Sequence, residues 1–151
     1  MGGTSRAAAL VVTVALVVLS VPGLGLAADR RAQQHYLRAA ELYEQDRYDD
    51  AIRALQQAIK LQPTFPDAYL LLGKVYVDGK RRLTDGTTAI TRAIQQKPDF
   101  VEAYYELGLV YQLQGRFRDA EQALRQAIKL KPTDEAAYWA LGRQFQRNRQ
   151  L

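Results

Sequence analysis

Cysteine is absent from this 151-residue chain, and histidine, tryptophan and methionine occur once each. Without a thiol there can be no disulfide framework, thiolate zinc site, iron–sulfur cluster, cysteine nucleophile or lipid attachment through Cys. The lone His35 leaves no two-histidine metal motif. It falls at a packing position of a helix and is read as structural. No glycine-rich phosphate loop is present. Asp49, Asp50, Glu102, Glu106 and Glu121 are scattered among Arg and Lys along helical stretches, the pattern of a solvated face with i,i+4 support. The sequence therefore predicts no catalytic residues, no cofactor, no metal and no enzyme. What is present is 48% hydrophobic residues, within the globular range, and 21 Lys and Arg against 16 Asp and Glu, for a net charge of +5.

The N-terminus reads as a targeting segment. Met1 to Arg6 carries one positive charge, and Ala7 to Val21 is mostly apolar and uncharged. Pro22, Gly23 and Gly25 break a helix there, and Gly25-Leu26-Ala27 places small residues where a signal peptidase needs them. Residues 1–27 are thus expected to be an export signal, cut after Ala27 or Ala28, or else a membrane anchor. A span needs about 20 apolar residues, reached here only by running through Pro22 and two glycines. Either way the remainder is expected outside the cytoplasm, in a periplasm, a lumen or the extracellular space. It would meet a membrane only if the segment stays uncleaved. Residues 28–31 are read as a linker and 32–151 as the folded domain.

A period of about 34 residues organises that domain. Prolines recur at Pro63, Pro98 and Pro132, and glycines inside apolar patterns at Gly73, Gly108 and Gly142. The clearest unit reads Tyr104-x-x-Leu107-Gly108-x-x-Tyr111, then Gly115-x-Phe117-x-x-Ala120-x-x-x-Leu124-x-x-Ala127, closed by Pro132. The preceding unit has Tyr69, Leu72, Gly73 and Tyr76. The last begins Tyr138-x-x-Leu141-Gly142-x-x-Phe145. This series resembles the tetratricopeptide repeat family, and the resemblance covers 32–151. It implies an all-α fold, a right-handed superhelical stack of antiparallel helix pairs. Three repeats (32–65, 66–100, 101–134) would be followed by a C-terminal half-repeat or capping helix at 135–151.

The residue types fit such a stack. Tyr104, Gly108 and Tyr111 share one helical face. The glycine admits the second helix closely, and Ala120 and Ala127 do the same from the other side. Gly115 suits a tight left-handed turn, Pro132 stops the second helix, and Thr133-Asp134 offers capping oxygens. Two units depart from the series. In the first, His35, Arg38 and Ala39 stand where aromatic, Leu and Gly are expected. A one-residue shift would instead align Tyr36, Ala39, Ala40 and Tyr43, at the cost of a deletion in the turn. The second carries one extra residue around 78–83, with Gly86 in place of the usual Ala, so a longer and looser turn is expected there.

In such a stack the first helix of each pair lines the concave side, and positions a third of a turn from the packing stripe face the groove. These predict a partner-binding groove of Tyr36, Tyr43, Leu70, Lys74, Val77, Tyr105, Leu109, Gln112, Trp139 and Arg143, with an aromatic and apolar floor and charge at its margins. Within the family resemblance, repeats that clamp acidic chaperone C-termini carry Lys and Asn where this chain has Tyr36 and Ala40. Glu102 and Glu106 would repel an acidic peptide, so that activity is expected to be absent. Lys80-Arg81-Arg82 and Arg143, Arg147 and Arg149 read as solvated faces, and nucleic acid is not expected as a partner. The expected role is a scaffold that holds another protein or peptide in the groove. The alternative is a structural subunit that forms homo-oligomers through its C-terminal half-repeat.

Overall fold

The computed structural model describes residues 24–148. Most of the segment assigned to export lies outside the described residues. Among the described residues seven helices follow in order: α1 Leu24–Glu44, α2 Tyr48–Leu61, α3 Pro66–Lys80, α4 Leu83–Gln96, α5 Val101–Leu113, α6 Phe117–Leu130 and α7 Glu135–Asn148. None of the described helices is long and apolar enough to cross a membrane. Helix α1 begins earlier than the sequence suggests. It takes in Gly25, expected to break a helix, and residues 28–31, expected to be a linker. Around them stand Leu26, Ala27, Ala28, Arg30, Arg31 and Ala32, all good helix formers, and one glycine in the first turn does not outweigh them.

The helices pair as α1/α2, α3/α4 and α5/α6, each second helix packs on the next first helix, and α7 stands alone at the end. This is the expected stack of three pairs and a half. First helices also touch their neighbours (α1 on α3, α3 on α5, α5 on α7), whereas among the described residues no two second helices meet. The stack is therefore compressed along the row of first helices and open along the row of second ones. That asymmetry puts α1, α3, α5 and α7 on the inner side.

Each pair is built on one large side chain seated over a small one. Leu55, Ile90 and Leu124 occupy the same position of successive second helices and are among the largest fully buried side chains. A Cβ on Gly73 would collide with Ile90, and one on Gly108 would stand 2.7 Å from Leu124 Cγ. In the first pair Ala39 holds the glycine position, fully buried in one cluster with Leu55. That fixes the frame of the first repeat as the unshifted one: Ala39 and Leu42 are core, while His35 is half-buried and Arg38 exposed. No deletion in the turn is needed.

Turns and helix ends follow from local rules. Gly115 has φ +72°, and the matching residues Asp46 and Arg81 have φ +57° and +53°. The extra residue of the second repeat does not loosen its turn. It lengthens α3 to 15 residues, against 13 in α5, and only Arg81 and Arg82 connect α3 to α4. The surplus is absorbed in one widened helical turn, where the Arg81 and Arg82 N–H groups both reach Tyr76 O. Second helices stop at Gln62, Lys97 and Lys131, whose φ values lie between −133° and −136°. Each precedes a proline, which excludes the helical conformation on steric grounds. Asp134 caps α7 by accepting from the Ala136 and Ala137 N–H groups at 3.1 and 3.4 Å.

An Arg-x-x-Asp device opens all three second helices. Arg47, Arg82 and Arg116 pair with Asp50, Asp85 and Asp119, at 2.6 to 2.7 Å. Arg82 and Arg116 also lie over the rings of Tyr76 and Tyr111, at 4.6 and 4.3 Å from the ring centroid. Such exposed pairs add little stability of their own, but they clip the turn to the end of the first helix. Arg82 is thereby occupied within the chain.

Gly108→Leu should lower the melting temperature sharply, because the added side chain meets Leu124 and the Ala120 carbonyl. Overpacking of this kind costs about 1–3 kcal/mol or more. Gly142→Ala at the equivalent point of α7 meets nothing within 4 Å and should stabilise by up to about 1 kcal/mol through helix propensity. Thermal melts of the two variants side by side check the contrast.

Candidate binding face of the first helices

The inner row brings together side chains from all four first helices. On α1, Tyr36 and Tyr43 are half-buried. The Tyr36 ring lies 5.1 Å from that of Phe65, and the Tyr43 hydroxyl donates to Asp78 Oδ2 of α3. Lys74 of α3 reaches Glu106 Oε1 of α5 at 3.3 Å, with side chains 29% and 19% exposed. The first three first helices are thus laced together by Tyr43–Asp78 and Lys74–Glu106. Half-buried Tyr105 and Leu109 continue the row on α5.

Two predicted floor residues are not on the floor. Leu70 and Val77 are only 5% and 8% exposed and belong to the core cluster with Ile90, Phe100, Ala103 and Leu107. Helix α3 is hemmed in by α1, α4 and α5. Val77 is turned onto Gly86, which has no Cβ to keep it off. The bare Gly86 position therefore draws a nominal groove residue into the core.

At the far end, Leu109, Gln112 and Arg143 line a cleft of about 530 Å³ together with Leu113, Phe117 and Gln144. Gln112 is a connector as well as a wall. Its Nε2 donates to Ala140 O and to Gln144 Oε1 at 3.2 and 3.0 Å. Buried Gln144 donates in turn to Phe117 O at 2.7 Å. Arg143 donates to Gln112 Oε1 at 3.5 Å and lies 4.7 Å from the centre of the Trp139 ring, which is 64% exposed. The side chain of Arg147 and all of Arg149 lie outside the described residues.

Comparison with known proteins decides the repeat type. Family models described as "TPR repeat" and "Tetratricopeptide repeat" match residues 39–78 and 101–134. Those two segments carry tetratricopeptide repeats. Among solved structures the Arabidopsis OM64 TPR domain is similar, with a TM-score of 0.76 and 18% identity over 80% of this chain and 98% of that one. The first TPR of Spaghetti (RPAP3), bound to the HSP90 peptide SRMEEVD, gives 0.75 and 16% over 79% and 94%. MamA gives 0.73 and 27% over 82% and 72%. No curated protein matches the chain by sequence.

The electrostatics of the inner face run against the net charge. Burial alone would lower the pKa of Lys74, but Glu106, Glu102 and Asp78 together hold it above its ordinary value. Burial raises Glu106 above the ordinary carboxylate range, and Asp78 and Glu102 add to this against the pull of Lys74. The same attraction acts on both members of the pair; Glu106 ends up raised because it is deeper and has like-charged neighbours. Tyr36 is raised by burial and then by Asp67 and Glu102, and Tyr43 by burial and then by its bond to Asp78. Lys74 thus faces three carboxylates, those of Glu106, Glu102 and Asp78, and Asp67 acts on Tyr36 beside them. The i+4 step from Glu102 to Glu106 is readable in the sequence, which also lets the two repel an acidic peptide; that Lys74 reaches Glu106 is not, because the two hold different positions in their repeats.

Because the folded chain holds the Glu106 proton more tightly than the unfolded chain does, this group favours folding below its unfolded pKa. That contribution is lost as pH rises through its folded value. Lys74→Gln removes the compensating cation and should raise the Glu106 pKa further. The variant should lose about 1–2 kcal/mol at pH 7, a partly exposed pair being worth less than a fully buried one, and clearly less at pH 4. Urea melts at the two pH values check this; equal losses would show that the pair is idle.

Proposed function

We propose that this TPR chain is a binding module that holds a positively charged, apolar segment of a partner protein along the inner face of its first helices. The observation that carries the reading is the set of carboxylates Asp67, Asp78, Glu102 and Glu106 set among Tyr36, Tyr43 and Tyr105. Tyrosines supply rigid contact area at low entropic cost, and carboxylates beside them select for Arg or Lys. A TPR neighbour in the solved structures holds the peptide SRMEEVD, which is acidic. The charge on the inner face here has the opposite preference. The Lys74 and Arg143 charges, expected to serve the partner, are engaged with Glu106 and with Trp139 and Gln112. The fold does its work by presenting side chains and needs no bond-breaking chemistry. From the apolar run Ala7–Val21 we place this activity outside the cytoplasm.

A fluorescent peptide alternating Arg with aromatic residues should bind with an affinity that falls as salt rises. The same peptide with Glu for Arg should bind far more weakly. Exposed Glu102→Lys should weaken the basic peptide by roughly three- to tenfold. Tyr105→Ala should also weaken it while leaving the melting temperature nearly unchanged. Tighter capture of the Glu peptide would sink the reading, and an equal loss of stability in Tyr105→Ala would make that residue core rather than contact.

A further inference from the structure

The inner face leaves one part of the molecule unused. In α3 and α5 the series Tyr-x-x-Leu-Gly-x-x-Tyr receives the second helix of its own pair, with Ile90 over Gly73 and Leu124 over Gly108. Helix α7 carries the same series as Tyr138-x-x-Leu141-Gly142-x-x-Phe145, but nothing stands within 4 Å of where a Gly142 Cβ would lie. Tyr138 and Phe145, on either side of it, are 51% and 42% exposed, whereas Tyr69, Tyr76, Tyr104 and Tyr111 at the matching points are half-buried. The opposite face of α7 is firmly held. Ala137 and Ala140 are fully buried, Gln144 bonds to Phe117 O and Gln112, and Asp134 caps the first turn. The open face is therefore presented in a set orientation.

We infer that α7 is a preformed helix seat, and that it takes up an amphipathic helix from another protein. That helix carries a small residue, then a large aliphatic four positions on, then a small residue three further on. The occupant's chemistry is written three times in the chain itself, as Ala51, Leu55, Ala58, as Gly86, Ile90, Ala93 and as Ala120, Leu124, Ala127. All nine are buried, and they are what the same first-helix series receives in the pairs already formed. The large aliphatic goes onto Gly142, between Tyr138 and Phe145, and the flanking small residues let the two helices close. This seat lies on the pair-forming stripe of α7 and is separate from the acidic inner face.

The seat has its own reporter. Trp139, the single tryptophan of the chain, lies beside it and is 64% exposed. The probe is a synthetic peptide with the sequence of residues 117–130. Titrated into the full chain, it should gain helicity and shift Trp139 emission to the blue. A peptide with Asp in place of Leu at position 124 should do neither. Gly142→Leu in the chain fills open space, so its melting temperature should hold, while its peptide affinity should fall at least about tenfold. Glu102→Lys should leave this binding unchanged, which separates the seat from the inner face. The inference is overturned if the peptide leaves Trp139 unshifted, if the Asp peptide binds equally, or if Gly142→Leu still binds. It is also overturned if Trp139 shifts with protein concentration alone and Gly142→Leu abolishes that shift, because the occupant is then a second copy of the chain.

Discussion

Everything in this molecule depends on a large aliphatic side chain of one helix resting on a residue with little or no side chain in the helix before it. Leu55, Ile90 and Leu124 are buried because Ala39, Gly73 and Gly108 leave room for them. A helix with an apolar stripe is marginal alone in water, and each pair exposes a new stripe as it buries one. Stability therefore accumulates by stacking rather than around a single centre. The widened turn at the end of α3 shows how strict the constraint is: one extra residue is taken up in the helix end so that Ile90 still meets Gly73.

The same packing creates the inner face. Because first helices touch one another and second helices do not, side chains a third of a turn off the packing stripe converge on the inner side. There the chain places carboxylates and tyrosines rather than the basic residues that outnumber its acidic ones. The net charge of +5 consequently says little about the partner. Several arginines are consumed locally, in the Arg-x-x-Asp clips at the start of α2, α4 and α6 and over the rings of Tyr76 and Tyr111. In the reading proposed above, a partner would meet the local field of Asp67, Asp78, Glu102 and Glu106, with Lys74 among them.

Much of this was legible from periodicity. Proline and glycine spacing gave the number of pairs, the frame of α3 to α7 and the turn at Gly115, since each of those residues acts through backbone sterics that need no tertiary context. The inner face was legible only in outline. Tyr36, Tyr43, Tyr105, Leu109 and Trp139 stand where helical geometry puts them. Leu70 and Val77 do not, because their burial depends on the following pair and on a missing Cβ at Gly86, and neither shows in the periodicity of α3 itself. The turn after α3 misled for a similar reason, since a one-residue surplus can lengthen either a loop or a helix.

By itself the sequence determined the all-helical class, the three and a half pairs, the residues that seat one helix on another and the absence of thiol and paired-histidine chemistry. These follow from local rules: helical period, glycine and proline sterics, and composition. Only the tertiary structure decided which charges meet. Lys74 and Glu106 lie on different helices and could equally have been solvent-facing; their pairing exists because α3 and α5 are pressed together. It also shows that the Gly142 position, in the same aromatic-x-x-Leu-Gly series as Gly73 and Gly108, has nothing packed within 4 Å among the described residues. Whether a glycine seat is filled depends on the helix that arrives there, and that is a property of the assembled stack.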